Sequence, residues 1–476
     1  MNKPLRHVAV VIGLLMISLV INITVSDIFR YPGLNEMSQN RRVRDVEFAS
    51  ERGAIMVGTT AIAATQATTS SQFPYERIYS AGEMYAPVTG YYSYDYGRTG
   101  LEKTYNEELS GTSDSQAFGR LKCALLGRSA SGAQLTTTIN ANAQKAAWDG
   151  LGSMNGAVVA IDYTTGAILA YVSKPSYDPN LLSTIDIGAA AKSWSTLSNS
   201  DDKVMLNRAG KEIFPPGSTF KLITAAAALE NGMAPDSVVD SPERLTLPQS
   251  SSVLTNETYC GGDKITITKA VEVSCNTAFA NIGMSLGENK LRAQAEKFGF
   301  NSTISSDLDP VKSRFPTQLD QAQTALSSIG QFDVAATPLQ MAMVAAGIAN
   351  AGVVMEPFLV SEIRNPDLTL LRSHRPQQLS QAVSADTATK LQDMMVSAVN
   401  NGTGRNARIP GMKIGGKTGT AQTAADRPPY AWFVGFAEEP HVAIAVFVQD
   451  AKTNRANISG GRLAAPVFRD VVKALS

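Results

Sequence analysis

A serine and a lysine three residues apart stand at the start of an apolar stretch near the middle of the chain. Ser218 and Lys221 follow Pro-Pro-Gly at 215–217, which cannot continue a helix backwards, and the next residues propagate well as a helix until Asn231 and Gly232. Residues i and i+3 share one face of a helix, so the Lys221 amine can reach the Ser218 hydroxyl.

The composition of this helix makes the lysine a candidate base. The helix is apolar almost all round, which predicts burial. A buried lysine loses its proton readily because the ammonium is poorly solvated there. A neutral Lys221 beside Ser218 is a general base for a covalent nucleophile, and the start of a helix also favours negative charge near Ser218.

The pair is not specific by itself. Ser-x-x-Lys is expected by chance on the order of once in a chain of this length. Ser200 and Lys203 match the same pattern within a polar, loop-like stretch. Alone, the pair favours nothing more than the start of a helix.

Two further motifs change this interpretation. Ser274 and Asn276 form a Ser-x-Asn motif, which also occurs at 38–40 and 153–155 and is weak alone. The segment GGKTGTAQ at 415–422 is much rarer, although a glycine-rich turn remains its plain alternative. The order Ser-x-x-Lys, Ser-x-Asn, Lys-Thr-Gly leaves little room for accident and is typical of serine acyl transferases.

Apolar strands are predicted on both sides of these motifs. The runs at 156–162 and 166–173 form one hairpin, and those at 430–437 and 441–450 form a second. Between them the chain is largely helical from 218 to 350, and after them the apolar residues of the last segment share one helical face. We therefore expect one antiparallel sheet assembled from distant parts of the chain, with the final helix packed on it.

The first residues predict a membrane span. Val8–Val25 is nearly all apolar and close to the ~20 residues that cross a bilayer. No small-x-small cleavage site follows, so an uncleaved span is favoured over a signal peptide or a buried core helix. Basic residues occur on both sides of the span, Arg30 among them, so their count does not decide its orientation.

Composition excludes some partners. Lys and Arg together number 42, as do Asp and Glu, and this balance argues against nucleic acid. The three histidines have no metal-ligand spacing, so neither a metal nor another cofactor is expected. Residues 31 to about 145 look like a small mixed domain, in which 58–72 reads as an exposed loop or a poorly specified strand and Thr99–Glu102 as a capping box.

Together the three motifs resemble those of class B penicillin-binding proteins, which are monofunctional peptidoglycan D,D-transpeptidases. The run Arg-Gly-Ala-Ile at 52–55 is similar to that family's membrane-proximal signature, and residues 90–111 are similar to a stretch of its non-catalytic pedestal. The short pedestal resembles that of the penicillin-binding protein A type.

The resemblance implies an α+β fold, with a serine transpeptidase/β-lactamase-like domain whose central antiparallel sheet has helices on both faces. The implied organisation is a cytoplasmic tail at 1–7, a transmembrane anchor at 8–26, a pedestal at 27–145 and the transpeptidase domain at 146–476. The substrate lies outside the cell, so the catalytic domain is expected to be extracytoplasmic.

The resemblance also implies roles for the residues around the nucleophile. Ser218 attacks the penultimate D-alanine of a stem peptide, and Lys221 takes its proton. Ser274 relays a proton to the departing D-alanine, and Asn276 holds Lys221 and the substrate amide. Backbone N–H groups of Ser218 and Thr420 form the oxyanion hole.

For the third motif, the resemblance implies that Lys417 and Thr418 meet the terminal carboxylate and that Gly419 lets the substrate lie against the strand edge. In an oxidising compartment we expect a disulfide between Cys260 and Cys275, although two buried thiols remain the alternative. The third cysteine, Cys123, is expected to stay unpaired.

The implied partners are peptidoglycan stem peptides, β-lactam antibiotics and a glycan polymerase of the shape, elongation, division and sporulation family. Two other enzymes, a D,D-carboxypeptidase and a β-lactamase, use the same acyl-enzyme and remain alternatives to the transpeptidase. The non-enzymatic alternatives are a division scaffold and a β-lactam sensor. The chain upstream of the catalytic domain is too short for the glycosyltransferase of a bifunctional class A protein. Whether the enzyme serves septation or elongation stays open.

Overall fold

An apolar helix begins the chain in this computed structural model, which describes residues 2–26, 41–125, 131–304, 306–423 and 427–476. Helix α1 (Asn2–Val25) includes the stretch Arg6–Val25, which has a mean hydropathy of 2.7 and no buried residue. It is long and apolar enough to cross a bilayer, as the sequence predicts. Arg30 and the Ser-x-Asn match at 38–40 lie outside the described residues, as does the expected start of the pedestal.

Short elements fill the first part of the chain. In order they are α2 (Arg41–Phe48), β1 (Ile55–Val57), β2 (Thr60–Ala67), β3 (Tyr75–Tyr79), α3 (Gly82–Thr89), β4 (Tyr92–Ser93), β5 (Gly97–Arg98), α4 (Gly100–Thr104), α5 (Asn106–Ser110), α6 (Ala117–Leu125), β6 (Gln134–Thr137) and α7 (Ala141–Leu151). Most of the segment 58–72 is strand β2, which pairs antiparallel with β1 and β3. Of the two alternatives for this segment, the strand is therefore correct.

The middle of the chain contains the first predicted hairpin and most of the helices. Its elements are β7 (Asn155–Asp162), β8 (Ile168–Lys174), α8 (Asn180–Ser183), α9 (Ile187–Ser198), α10 (Lys221–Glu230), β9 (Val238–Asp240), β10 (Arg244–Thr246), β11 (Val253–Thr255), β12 (Lys264–Thr266), α11 (Ile267–Val273), α12 (Asn276–Leu286), α13 (Glu288–Lys297), α14 (Gln321–Ser327) and α15 (Pro338–Ala349). The pairs β9–β12 and β10–β11 interrupt the helical section that the sequence predicts.

The last part of the chain completes the central sheet. Its elements are β13 (Val353–Met355), β14 (Val360–Arg364), β15 (Leu370–Ser373), β16 (Gln378–Gln381), α16 (Ala385–Asn400), β17 (Ile414–Ala421), β18 (Tyr430–Ala437), β19 (Val442–Asp450) and α17 (Ala465–Leu475). The sheet has the order β17-β18-β19-β7-β8, with every neighbouring pair antiparallel. Both predicted hairpins and their assembly into one sheet are confirmed.

Helices cover both faces of this sheet. Side chains alternate along a strand, so Val158 of β7 packs into a cluster with Ala147 of α7 and Phe468 of α17. Its neighbour Val159 points to the other face, into the large cluster that includes Met341 of α15. The expected α+β architecture and the packing of the final helix on the sheet are thus confirmed.

A hairpin from late in the chain joins the sheet formed by the first part of the chain. Strands β14 and β15 extend a six-stranded sheet of order β15-β14-β6-β1-β2-β3, in which β14 pairs antiparallel with β6. The register places Val360 opposite Thr137 and Ile363 opposite Leu135. This sheet therefore crosses the boundary that the sequence places at 145 and 146, between the expected pedestal and the expected catalytic domain.

The predicted capping box at the start of α4 is wrong. Thr99 makes no side-chain cap there, and its Oγ1 accepts instead from Tyr91 N at 3.3 Å. Glu102 is fully buried and accepts from Arg52 Nε at 2.5 Å and from Arg77 Nε at 2.7 Å. Burial raises the pKa of Glu102, but the two guanidinium groups outweigh it and hold the pKa below its usual range. Glu102 is thus the centre of a buried ion-pair cluster.

Candidate active site

Ser218 lies in the 3-10 turn at 217–220 that leads directly into α10. Trp432 of β18 donates from Nε1 to Pro215 O at 3.0 Å, which ties the start of this turn to the sheet. Gly217 has a φ of 54°, a backbone conformation that glycine adopts without a Cβ clash. Ser218 is therefore held in a fixed position beside the sheet, with 9% of its surface exposed.

Two glycines let this turn approach strand β17. A Cβ on Gly419 would lie 2.9 Å from Thr219 Cγ2, and a Cβ on Gly217 would lie 3.1 Å from Thr420 O. The missing side chain of Gly419 thus makes room for the turn that contains Ser218. The same approach brings this turn against the segment of β17 that includes Thr420.

Lys221 is fully buried and points to the Ser-x-Asn motif. Its Nζ donates to Asn276 Oδ1 at 2.7 Å, to Ser274 O at 2.8 Å and to Ser274 Oγ at 3.3 Å. Within the described part of the chain, no hydrogen bond joins Lys221 Nζ to Ser218 Oγ. Burial lowers the pKa of Lys221 well below its usual range, and the charge of Lys417 lowers it further.

The Ser-x-Asn motif forms the turn between α11 and α12. Ser274 has a φ of 61° and a ψ of 42°, in the left-handed region that few non-glycine residues adopt. Asn276 donates from Nδ2 to Thr255 O at 2.9 Å. Asn256 Oδ1 accepts from Asn276 N at 2.8 Å and from Thr277 N at 3.0 Å, so a distant loop caps α12. The sequence did not indicate Asn256, because its partners are 20 residues away.

A disulfide lies beside this turn. Cys260 and Cys275 are bonded, with their Cα atoms 5.5 Å apart, and both are buried. The bond ties the loop that follows Asn256 to the middle residue of the Ser-x-Asn motif. Cys123, on α6, is a free cysteine.

The third motif lies on strand β17, an edge strand that pairs only with β18 among the described strands. Lys417 is fully buried, and its Nζ donates to Ser274 Oγ at 2.7 Å and to Thr418 O at 2.9 Å. Burial lowers the pKa of Lys417 to about 7, while the negative charge of Glu257 opposes that shift. Both lysines thus meet at the hydroxyl of Ser274.

Thr418 has a neighbour that the sequence did not indicate. Thr403, in the loop after α16, places Oγ1 2.6 Å from Thr418 Oγ1. Thr418 is 8% exposed. The sequence signal for Thr403 is only a threonine between two glycines at 402–404, which reads as a loop.

The chance matches to the motifs lie elsewhere. Ser200 and Lys203 are in the turn after α9, and Lys203 is exposed. Ser153 precedes β7, of which Asn155 is the first residue. Neither match has the buried lysine that marks the site around Ser218.

Two family descriptions match the chain. The penicillin-binding protein transpeptidase domain matches residues 156–473, and the penicillin-binding protein A dimerisation domain matches residues 52–135. The chain therefore belongs to the penicillin-binding proteins, as a member of class B.

Comparison with individual relatives identifies the type of penicillin-binding protein. The peptidoglycan D,D-transpeptidase PbpA of Mycolicibacterium smegmatis is 42% identical over 489 residues, which cover all of this chain and 99% of the relative. The crystal structure of PBPA from Mycobacterium tuberculosis has a TM-score of 0.86 and 38% identity, and the match covers 90% of this chain and all of that one. The penicillin G acyl-enzyme complex of the same protein has a TM-score of 0.85 and 39% identity, over 89% of this chain and 99% of that one. The chain is a peptidoglycan D,D-transpeptidase of the penicillin-binding protein A type.

Proposed function

We propose that the chain cross-links stem peptides by a two-step acyl transfer on Ser218. In the first step Ser218 Oγ attacks the carbonyl carbon of the penultimate D-alanine, the peptide C–N bond breaks, and the terminal D-alanine leaves with the proton on its amine. In the second step an amine of a neighbouring stem peptide attacks the ester and Ser218 Oγ regains a proton. The observation that carries this proposal is the meeting of Lys221 and Lys417 at the Ser274 hydroxyl, with Lys221 one helical turn after Ser218.

Lys221 is the proposed base. A neutral amine has two N–H donors and one lone pair. The two shortest hydrogen bonds of Lys221, to Asn276 Oδ1 at 2.7 Å and to Ser274 O at 2.8 Å, use both donors. The lone pair is then left to take the proton of the Ser218 hydroxyl, and Asn276 has the role of holding the amine in this orientation.

Ser274 is the proposed proton relay. Its Oγ accepts from Lys417 Nζ at 2.7 Å and lies 3.3 Å from Lys221 Nζ. A hydroxyl has one donor and two acceptor positions, so it can take a proton from a lysine while it gives its own to the departing amine. This path supplies the proton that the leaving D-alanine needs.

Strand β17 is the proposed docking edge for the donor peptide. An edge strand has backbone N–H and C=O groups available to an extended peptide. Lys417 and Thr418 are the proposed ligands of the terminal carboxylate, and backbone N–H groups of Ser218 and Thr420 form the proposed oxyanion hole. The support is the close approach of the Ser218 turn to β17 at Gly419.

β-Lactams are proposed as inhibitors that acylate Ser218. The support is the penicillin G acyl-enzyme complex of PBPA from M. tuberculosis. A β-lactam resembles the D-Ala-D-Ala end of the donor, and its opened ring would stay on Ser218 as an ester.

We infer further that α1 anchors the protein, with residues 1–7 in the cytoplasm, and that the pedestal (27–145) and the transpeptidase domain (146–476) lie outside. The support is the length and hydropathy of α1 and the location of peptidoglycan outside the membrane. A glycan polymerase of the shape, elongation, division and sporulation family is the proposed partner, because cross-linking needs new glycan strands and neither matched domain is a glycosyltransferase.

Product analysis tests this function. The full chain would be incubated with a D-Ala-D-Ala-terminated stem peptide and an amine acceptor, beside Ser218→Ala. We expect a product in which the acceptor replaces the terminal D-alanine, and none from the variant. Release of D-alanine with water as the only acceptor would indicate a D,D-carboxypeptidase. Rapid hydrolysis of penicillin would indicate a β-lactamase, and no turnover by the folded protein would leave a non-catalytic scaffold or sensor.

A further inference from the structure

Thr403 contacts strand β17 on one side and helix α11 on the other. Its Oγ1 lies 2.6 Å from Thr418 Oγ1 on β17. Its backbone N donates at 3.3 Å to Glu272 O, two residues before Ser274. We propose that Thr403 is a positioning residue that orients the Thr418 hydroxyl toward the terminal carboxylate of the donor peptide. This inference rests on the carboxylate-binding role proposed above for Thr418.

The loop around Thr403 has little freedom to move. A Cβ on Gly402 would lie 2.1 Å from Glu272 O, so glycine alone permits the backbone to pass there. On the other side, a Cβ on Gly461 would lie 2.7 Å from Thr403 O, and Asn406 Nδ2 donates to Gly461 O at 2.7 Å. The backbone of Thr403 is thus packed between α11 and the segment that precedes α17. This packing of the backbone holds the Thr403 side chain in place against Thr418.

The proton count of the two hydroxyls gives the contact its function. Each threonine hydroxyl has one proton and two acceptor positions. When Thr403 donates to Thr418 Oγ1, the single proton of Thr418 must point away from Thr403 and is free for a carboxylate. A hydroxyl that already accepts a hydrogen bond is also a stronger donor, because successive hydrogen bonds polarise one another. Without Thr403, the Thr418 hydroxyl rotates freely and donates to other acceptors.

The test measures how strongly acylation depends on the carboxylate. Full-length protein would be acylated with a penicillin and with the methyl ester of the same penicillin, and the ratio of the two rate constants compared among variants. We expect Thr403→Val to lower the carboxylate-to-ester ratio roughly five- to tenfold, the factor for one lost hydrogen bond between neutral groups, while the ester rate stays unchanged. Thr403→Ser keeps the hydroxyl and should keep the ratio.

Thr418→Val separates this inference from the proposed function. If Thr418→Val leaves the ratio unchanged, the carboxylate-binding role of Thr418 fails. If Thr418→Val lowers the ratio but Thr403→Val does not, the inference about Thr403 is overturned and the site stands. An equal loss of both rates in Thr403→Val and in a second variant, Thr403→Ala, would overturn the inference in favour of a purely structural role. The unchanged ester rate is at the same time the control for correct folding.

Discussion

Lys417 Nζ donates to Ser274 Oγ at 2.7 Å, and this contact joins the edge strand β17 to the turn between α11 and α12. The same oxygen lies 3.3 Å from Lys221 Nζ. Two buried amines that share one hydroxyl repel each other when both are charged. Near neutrality the pair therefore favours a state in which only one of the two amines carries the additional proton and its positive charge. The location of that proton decides whether Lys221 can activate Ser218.

The pH dependence of acylation by penicillin is expected to be bell-shaped. On the acidic side the rate rises with pH as Lys221 loses its proton, since burial and the charge of Lys417 both lower the pKa of Lys221. On the alkaline side the rate falls as Lys417, whose pKa burial lowers to about 7, becomes neutral and no longer attracts the carboxylate. Rate constants measured from weakly acidic to weakly alkaline pH would show both limbs.

Lys417→Gln is the matched variant for this profile. It removes a positive charge beside Lys221 and therefore raises the pKa of Lys221. The acidic limb should move to higher pH, and the alkaline limb should disappear. An acidic limb with an unchanged midpoint would contradict the coupling between the two lysines.

Glu102→Gln is expected to destabilise the protein strongly. The substitution leaves Arg77 buried without a counter-charge and leaves Arg52 with only Glu47, at 3.6 Å, which costs about 3–5 kcal/mol in the free energy of unfolding. The control is Asp149→Asn, which breaks an exposed pair with Lys145 and costs less than about 1 kcal/mol. Denaturant-induced unfolding measures both, and equal small losses would show that the Glu102 cluster does not hold the pedestal together.

Asn256→Ala is expected to slow acylation of Ser218 about tenfold. Without Asn256 Oδ1, the backbone N–H groups of Asn276 and Thr277 lose their cap. This destabilises the native conformation of the turn by about 1 kcal/mol or more. Asn256→Asp keeps the acceptor oxygen and should retain the cap. Rate constants with penicillin check this, and a normal rate for Asn256→Ala would remove Asn256 from the positioning machinery.

Gly419→Ala is expected to slow acylation more than a hundredfold, an effect typical of a misplaced nucleophile. The new Cβ would lie 2.9 Å from Thr219 Cγ2 and push the Ser218 turn away from β17. Gly119→Ala on α6 is the control, because its Cβ would have no neighbour within 4 Å. A rate near that of the wild type for Gly419→Ala would mean that the turn and the strand need not approach so closely.

Much of the architecture could be predicted because it depends on local pattern. The apolar runs of β7, β8, β18 and β19 are continuous in sequence, and the turn residues at 163–165 and 438–440 mark each pair of runs as a hairpin. The apolar surroundings of Lys221 likewise predict its burial, which the structure confirms. The direction of its amine could not be predicted, since that depends on where Asn276 lies.

The features that the sequence predicted wrongly or did not indicate share a physical cause, which is contact between segments distant in sequence. Thr99–Glu102 has the pattern of a capping box, but Arg52 and Arg77 come from elsewhere in the chain and hold Glu102 instead. Strand β14 joins the pedestal through pairing with β6, across more than 200 residues. Thr403 has an unremarkable loop sequence, and only the fold brings it to Thr418.

The most direct test of Ser218 as the nucleophile is the intact mass of the protein after incubation with penicillin G, with peptide mapping of the modified residue, beside Ser218→Ala. We expect a stable adduct of one penicillin on Ser218 of the wild type and no adduct on the variant. An adduct that maps to another residue, or that persists in the folded Ser218→Ala variant, would contradict the assignment of Ser218 as the nucleophile.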